Sequence, residues 1–527
     1  MTRLYPPSSP SPRLTTRSSI SPGVWATNVL GRLPIEEHHG LLRRDLKSTT
    51  TLLTRQHVVD PHHVVAQLLV HFVIVGVGAL GRSGLLEPTD PTHLVFGPVS
   101  TLRAGEHRGL QFLFLVEELA FVACHGKMIP RMTPRRQETG GRRQEKSVDT
   151  AVFYISGHGF GHASRQIEII KALTAIRPDV QIVVRTSAPR WLFDRALTRS
   201  FSFAAGDPDT GVVQTDSLHV DAAQSIQRAW AFHRTLDARA RTEAGVLERR
   251  HATLVAGDIP PLAFAAAAAA DVPAVAIGNF TWDWIYEHYH DHLGAAPDLL
   301  PVIRNAYATA AQAWRLPMTH DFGVFPRVSD APLVARHARR PADETRQALG
   351  LPADRPLVLV SFGRYGLSVI DWAKVIEQND FGVVLTRDPT DTGPIPPPTT
   401  GDGVLFDVDI TTAFDRGIHY EDLVAAVDVV LTKPGYGIIA ECAANGTALV
   451  YTSRGDFAEY AVLVEAMPRL LRCAYIAQHD LLAGRWAPAV RRVLNQATVE
   501  RTATNGAQVV ARGLETYLTP KEAGDRS

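Results

Sequence analysis

An apolar run that breaks into three alternating glycines constrains this chain more than any other stretch. Ala151 to Ile155 reads as a short buried strand, and Ser156-Gly157-His158-Gly159-Phe160-Gly161-His162 follows it. Ile167, Ile170 and Leu173 then recur at helical spacing. The pattern predicts a strand, a tight glycine turn and a helix N-terminus, where backbone N–H groups and the helix dipole favour an anion. Glycines in such a turn are a weak signal by themselves. With His158, His162 and Arg165 beside them, the loop formed by Gly157, Gly159 and Gly161 becomes a candidate site.

The alternation of short β-branched runs with alanine-rich or amphipathic segments continues downstream. Val152–Ile155, Gln181–Arg185, Leu254–Ala256 and Ala274–Ile277 form a first set of strands. After Phe325-Pro326 and the arginine- and proline-bearing stretch Pro332–Pro341, the alternation restarts at Leu357–Ser361, Gly382–Thr386, Val429–Leu431 and Ala448–Tyr451. This predicts an α/β chain with two doubly wound, Rossmann-like domains, 148–335 and 336–527, facing a cleft. Ligands in such folds bind outside the carboxyl ends of the strands.

Residues 1–147 read differently and are expected to be a poorly structured or mis-called extension. The opening is rich in Ser, Pro and Arg and lacks the apolar core of a secretory signal. Val64 to Leu80 is apolar but short for a membrane span, and Gln67 and His71 interrupt it, so no integral span is expected. Gly76-Val77-Gly78-Ala79-Leu80-Gly81 matches a dinucleotide fingerprint, yet Gly84, Pro88 and Pro91 leave no room for the helix that fingerprint needs. The basic run Arg131 to Lys146 reads as a solvated linker. Met132 is the expected true start.

A second anion device lies in the other half. Val429-Val430-Leu431-Thr432 leads into Lys433-Pro434-Gly435-Tyr436-Gly437, and a helix is predicted from Ile438 through Ala444. Its N-terminus offers backbone amides, and Glu441, one turn in, suits a pair of sugar hydroxyls.

These two motifs resemble the GT-B glycosyltransferases of family 28. A nearer likeness is to the glycosyltransferase-like N-terminal half of plant L-arabinokinases, which shares the Gly-His-Gly-Phe-Gly-His loop and a stretch like Asn279-Phe280-Thr281-Trp282-Asp283-Trp284-Ile285-Tyr286. The resemblance covers about Asp149 to the C-terminus. It implies inverting transfer of a hexosyl group from a nucleotide sugar, with UDP expected, to an acceptor hydroxyl. It further implies that Gly435, Tyr436 and Gly437 hold the diphosphate, Glu441 the ribose, and Asp456 and Glu459 the donor sugar. Gly363 and Arg364 are expected toward phosphate, and Gly157, Gly159, Gly161 and Arg165 on the acceptor side. His162 takes the place of the family's loop histidine, and His158 competes with it for the catalytic role. An imidazole suits a general base because its ordinary pKa of about 6.5 lies near working pH. Sugar kinase activity is not expected from this region.

Composition narrows the partners. The chain of 527 residues carries 54 Lys and Arg against 54 Asp and Glu, so no global charge points to nucleic acid. Three separated cysteines fit neither a disulfide framework nor a metal site, and a reducing cytoplasm is the default. No cofactor is expected, the nucleotide sugar being a substrate. No metal is expected either, because no Asp-x-Asp pair is anticipated at a suitable strand end. Phe280, Trp282, Trp284 and Tyr286 read either as an acceptor-pocket floor or as core packing. Two other uses of such a fold remain open: a non-catalytic nucleotide-sugar sensor and a UDP-sugar epimerase.

Overall fold

The computed structural model describes residues 148–216, 218–362, 370–387 and 404–519. The chain divides into Met1–Thr139 and Gly140–Ser527, and all described residues belong to the second unit. The expectations for the extension, including the apolar run at Val64 and the fingerprint at Gly76, lie outside the described residues.

Two parallel sheets organise this unit. The first contains β1 (Thr150–Ile155), β2 (Gln181–Thr186), β3 (Ser202–Ala205), β6 (Leu254–Asp258), β7 (Ala274–Gly278), β8 (Gln312–Arg315) and β9 (Val328–Asp330), in the order β3-β2-β1-β6-β7-β8-β9. A short antiparallel pair, β4 (Val213–Gln214) and β5 (Val220–Asp221), stands apart. The second sheet runs β12-β11-β10-β13-β14-β15. Its strands are β10 (Leu357–Ser361), β11 (Gly382–Arg387), β12 (Leu405–Asp409), β13 (Val429–Thr432), β14 (Ala448–Tyr451) and β15 (Cys473–Tyr475).

Both sheets reverse strand order beside their first strand. In the first sheet the reversal falls between β1 and β6, and in the second between β10 and β13. That doubly wound arrangement leaves a crevice at the switch point, where loops leave on opposite faces. All eight strands predicted from the sequence are present. Their apolar runs are those of strands buried on both faces.

Alternation along β1 distributes side chains between two cores. Ala151, Phe153 and Ile155 join a cluster that includes Ile167 and Ile170 and continues through Leu357, Ile439 and Val510 of the second half. Val152 and Tyr154 face a second cluster with Phe264, Trp282 and Tyr307. The first sheet ends at Asp330 and the second opens at Leu357, on either side of the expected divide. The C-terminal helix Gly506–Glu515, assigned by sequence to the second domain, belongs to the shared packing: it lies against the Phe160–Ile176 helix. Beyond it, Thr519 N–H donates to Asp149 at 3.0 Å. No helix among the described residues is long and apolar enough to cross a membrane.

Candidate functional site

The glycine loop folds as a strand-to-helix turn. β1 ends at Ile155, and the helix Phe160–Ile176 is preceded by Gly159 at φ 89°. A side chain there would be strained, which accounts for glycine. The helix buries Ala163, Ile167, Ile170 and Leu173 on one stripe. The second motif mirrors it: β13 ends at Thr432, and the helix Tyr436–Asn445 begins two residues before the predicted start. The two helix N-termini meet. A Cβ on Gly437 would lie 3.4 Å from Gly161 Cα, an ordinary contact distance, so the two turns lie against each other.

The switch point of the first sheet holds a buried polar cluster. His162 Nδ1 lies 2.8 Å from Asp258 Oδ1, the last residue of β6. Arg165 Nε donates to Asp258 Oδ2 at 2.7 Å, and its NH2 to Oδ1 at 2.5 Å. Gln166 Nε2 adds a further bond to Oδ2 at 3.0 Å. Burial alone would push the Asp258 carboxyl up; the charges of Arg165 and then His162 outweigh it and hold the pKa well below the carboxylate range. Arg165 NH2 also stands 2.9 Å from His162 Nδ1. That nitrogen therefore either donates to Asp258 or accepts from Arg165. Only the first arrangement leaves Nε2 with a lone pair able to take a proton.

Arg165 does not serve the loop as a free cation. Its third nitrogen, NH1, donates to Asn279 Oδ1 at 2.6 Å, and its guanidinium lies 5.3 Å from the Tyr436 ring centre. An arginine one turn into a helix and facing the strand end satisfies the buried carboxylate there first. Tyr436 likewise points inward, its hydroxyl accepting from Val334 N–H at 2.9 Å.

His158 occupies a different setting. It packs edge-on to Trp282 and parallel to Phe457. Its Nε2 is buried without a hydrogen-bond partner. Burial, then the charges of Arg454, His162 and Lys433, hold its pKa well below the usual imidazole value.

The remaining expected residues are dispersed through the second half. Glu441 is buried and accepts from Arg336 Nε at 2.7 Å, while Arg336 NH1 lies 3.4 Å from Glu421. Burial raises the Glu441 pKa against the pull of Arg336. Asp456 is exposed and paired with His288 at 2.6 Å. Glu459 is buried, accepting from Asn279 Nδ2 at 2.8 Å and from Arg454 NH1 at 3.4 Å. Gly363 and Arg364 lie outside the described residues. Asp407 and Asp409 close β12, but both are engaged: Asp407 pairs with Arg387, and Asp409 caps the helix Ile410–Asp415. Among the described residues no cluster of side chains is arranged to hold a metal ion.

The aromatic stretch packs mainly as core. Trp282–His288 is a helix; Phe280, Trp282 and Tyr286 are core residues, and Trp284 stacks on His320 with ring centres 4.3 Å apart. Trp282 Nε1 donates to Asp209 Oδ2 at 2.8 Å, and Ser156 Oγ to Asp209 Oδ1 at 3.1 Å. Burial pushes Asp209 up to about 6 despite those two bonds. Asp209, Asp258, Lys433 and Arg454 are the charged groups near the loops that the sequence reading did not assign. A carboxylate closing a parallel strand beside the switch point, as in Gly257-Asp258, is a signal that identifies one of them.

Fold and site together define a two-sheet, doubly wound α/β protein with a buried histidine–carboxylate pair where the two switch points meet. No protein-family model matches the chain. L-arabinokinase from Arabidopsis thaliana is 29% identical over 370 residues, which are 69% of this chain and 34% of that protein. The chain thus spans about a third of the length of this relative. Similar solved structures include the glycotransferase of kitacinnamycin, at 15% identity and TM-score 0.45, covering 70% of this chain and 99% of that one. SnogD from Streptomyces nogalater is 17% identical with TM-score 0.43, covering 70% and 95%. Phytolacca americana UGT2, complexed with UDP-2-fluoro-glucose and pterostilbene, is 13% identical with TM-score 0.44, covering 70% and 94%.

Proposed function

We propose that this chain is a glycosyltransferase that moves a hexosyl group from a UDP-sugar to an acceptor hydroxyl with inversion. The observation that carries this reading is the 2.8 Å contact between His162 Nδ1 and Asp258, beside the N-terminus of the helix Tyr436–Asn445. With its Nδ1 proton donated to Asp258, His162 removes the acceptor proton through Nε2. The acceptor oxygen then forms its bond to the anomeric carbon as the bond to the diphosphate oxygen breaks, and UDP leaves with the electron pair. Asp258 stabilises the imidazolium that forms. His158 lacks a carboxylate partner among the described residues, which favours His162 as the base.

The donor roles follow the motif. Backbone amides of Gly435 to Gly437 meet the diphosphate. Glu441, oriented by Arg336, takes the ribose hydroxyls. Asp456, in the loop after β14, and Glu459, which opens the next helix, are proposed to contact the donor sugar. The similarity to L-arabinokinase favours a second reading, phosphorylation of a sugar. A panel of UDP-, TDP- and GDP-sugars with hydroxylic acceptors, assayed for released nucleoside diphosphate, separates the two when run beside L-arabinose with ATP. UDP release from a UDP-sugar is the expected result. Arabinose phosphate, or an isomerised UDP-sugar without UDP release, would refute the transferase reading.

A further inference from the structure

Each half of the protein carries an apolar side chain that is buried in the core of the other. Leu218, between β4 and β5, is 4% exposed and joins a buried cluster whose other members, Val358, Val429, Val450 and Trp486 among them, all belong to the second half. Phe457, in the loop after β14, is also 4% exposed and belongs to the first half's cluster with Phe280 and Trp282. Its ring lies parallel to His158, centres 6.4 Å apart, and edge-on to Phe280 at 6.5 Å.

The two insertions meet. Gly455, two residues before Phe457, has φ 61°, and a Cβ on it would lie 2.6 Å from Leu218 O. That conformation and that approach together require glycine. Asp216 shapes the tip that presents Leu218: its Oδ1 accepts from Leu218 N–H at 2.6 Å and from His219 N–H at 3.0 Å. Beside Phe457, Asp456 O accepts from Tyr289 OH of the first half at 3.0 Å.

Neither insertion is part of a sheet's own framework. β4 and β5 pair only with each other, and the loop after β14 runs from the end of that strand to the helix Glu459–Leu470. Withdrawing both would break few hydrogen bonds and leave the two large sheets intact, which is the character of a unit that opens locally. What they cover is the meeting of the strand ends. Arg454 NH1 donates to Pro434 O after β13 at 3.4 Å, and Glu459 accepts from Asn279 after β7 at 2.8 Å.

We propose that Leu218 and Phe457 are the two catches of a latch that holds the β4–β5 hairpin and the loop after β14 across these strand ends, and that both withdraw together to admit a ligand. The latch stands on reciprocal burial. It rests on the glycosyltransferase reading only for the choice of UDP as the probe of entry.

Hydrogen exchange on the full chain, read by mass spectrometry, tests the coupling without any ligand. Leu218→Ala should speed exchange in the loop after β14, and Phe457→Ala should speed it in the β4–β5 hairpin, each by about tenfold or more, since an opening equilibrium shifts with the apolar surface it exposes. β1 and β13 should exchange as in wild type, and Leu218→Met, which keeps an apolar catch, should stay near wild type. Either alanine variant leaving the opposite segment at its wild-type rate would overturn the latch. So would an equal rise in β1 and β13, which would make both residues ordinary core. Stopped-flow association of UDP, followed by intrinsic fluorescence, should be about tenfold faster in Leu218→Ala; an unchanged rate beside faster exchange would overturn the gating. Absence of UDP binding by every form would sink the UDP-sugar reading, while exchange would still decide the latch.

Discussion

Asn279 Nδ2 donates to Glu459 Oε1 at 2.8 Å, a buried bond between residues 180 positions apart, one at the end of the first sheet's β7 and the other opening a helix of the second half. Asn279 Oδ1 accepts from Arg165, which holds Asp258, which holds His162. The Asn279 amide thereby links the candidate base to the partner half, beside the packing of Arg165 on Tyr436. Asn279→Ala leaves Glu459 and Arg165 each short of one partner, at a stability cost of about 1–3 kcal/mol. It also frees the histidine cluster to shift relative to the donor half. The expected result is a fall in kcat of about ten- to a hundredfold, as for small misplacements of reacting groups, with UDP affinity changed far less. A double-mutant cycle with Glu459→Gln should show coupling; strict additivity would mean the bond does not link the halves.

His162→Ala should lower turnover by about 10²–10⁴-fold, the usual worth of a positioned general base, while leaving UDP affinity near wild type. Asp258→Asn is a harsher change. It leaves Arg165 buried beside a neutral amide, and removing one partner of a buried ion pair costs about 3–5 kcal/mol. Its melting temperature should therefore fall together with its activity, whereas His162→Ala should melt close to wild type. Equal activity loss in both with no difference in melting would argue against the pairing.

Much of the fold was legible in the sequence because strands buried on both faces must be apolar, as β1, β10 and β13 are. The edge strands β3, β9, β12 and β15 are short or partly exposed, and their residues give no comparable signal. The first glycine turn was visible because φ at Gly159 and close approach at Gly157 restrict what fits there; at the second, Gly435 is extended and open, and only the strand-to-helix pattern marked it. The partners of the site residues were not: Asp258 lies 96 positions from His162, and Arg336 lies 105 from Glu441. Composition and spacing cannot say that Arg165 faces a strand-end carboxylate instead of the loop. The aromatic run left two alternatives open, and the structure gives core packing for Phe280, Trp282 and Tyr286.

Lys433 gives a pH dependence of definite sign. Its folded pKa of about 7 lies below the ordinary lysine value of 10.5, so between these values the folded state binds fewer protons than the unfolded chain. Stability therefore rises with pH across that window, and the cost of the buried charge is fully present below about pH 7. Anion binding runs the other way. It favours the protonated amine, so affinity for a fully ionised diphosphate ester should weaken as pH rises above 7, with proton uptake on binding. Titrations at pH 6.5 and 8.5 in buffers of different ionisation enthalpy would detect both effects. Lys433→Met should abolish the pH trend in affinity and flatten the stability profile in this window; a wild-type affinity independent of pH would mean that the diphosphate lies away from Lys433.

The docking of the last helix supplies a test of packing that reaches the site. Gly506 opens the helix Gly506–Glu515, and its N–H donates to Leu333 O at 3.0 Å. A Cβ there would lie 2.1 Å from Pro332 O and 2.9 Å from the Leu333 carbonyl, both backbone atoms that a rotamer change cannot move. Gly506→Ala should therefore destabilise by about 1–3 kcal/mol, the range for overpacking. Gly294 has no atom within 4 Å of its would-be Cβ, and Gly294→Ala should be neutral or stabilise by about 0.4–1 kcal/mol. Because the last helix packs on the Phe160–Ile176 helix that carries His162 and Arg165, Gly506→Ala should also lower turnover more than its loss of folded protein explains. Chemical denaturation with parallel activity measurements on the two glycine variants decides this: equal stability in both would mean that the Pro332–Leu333 strap yields to the added methyl.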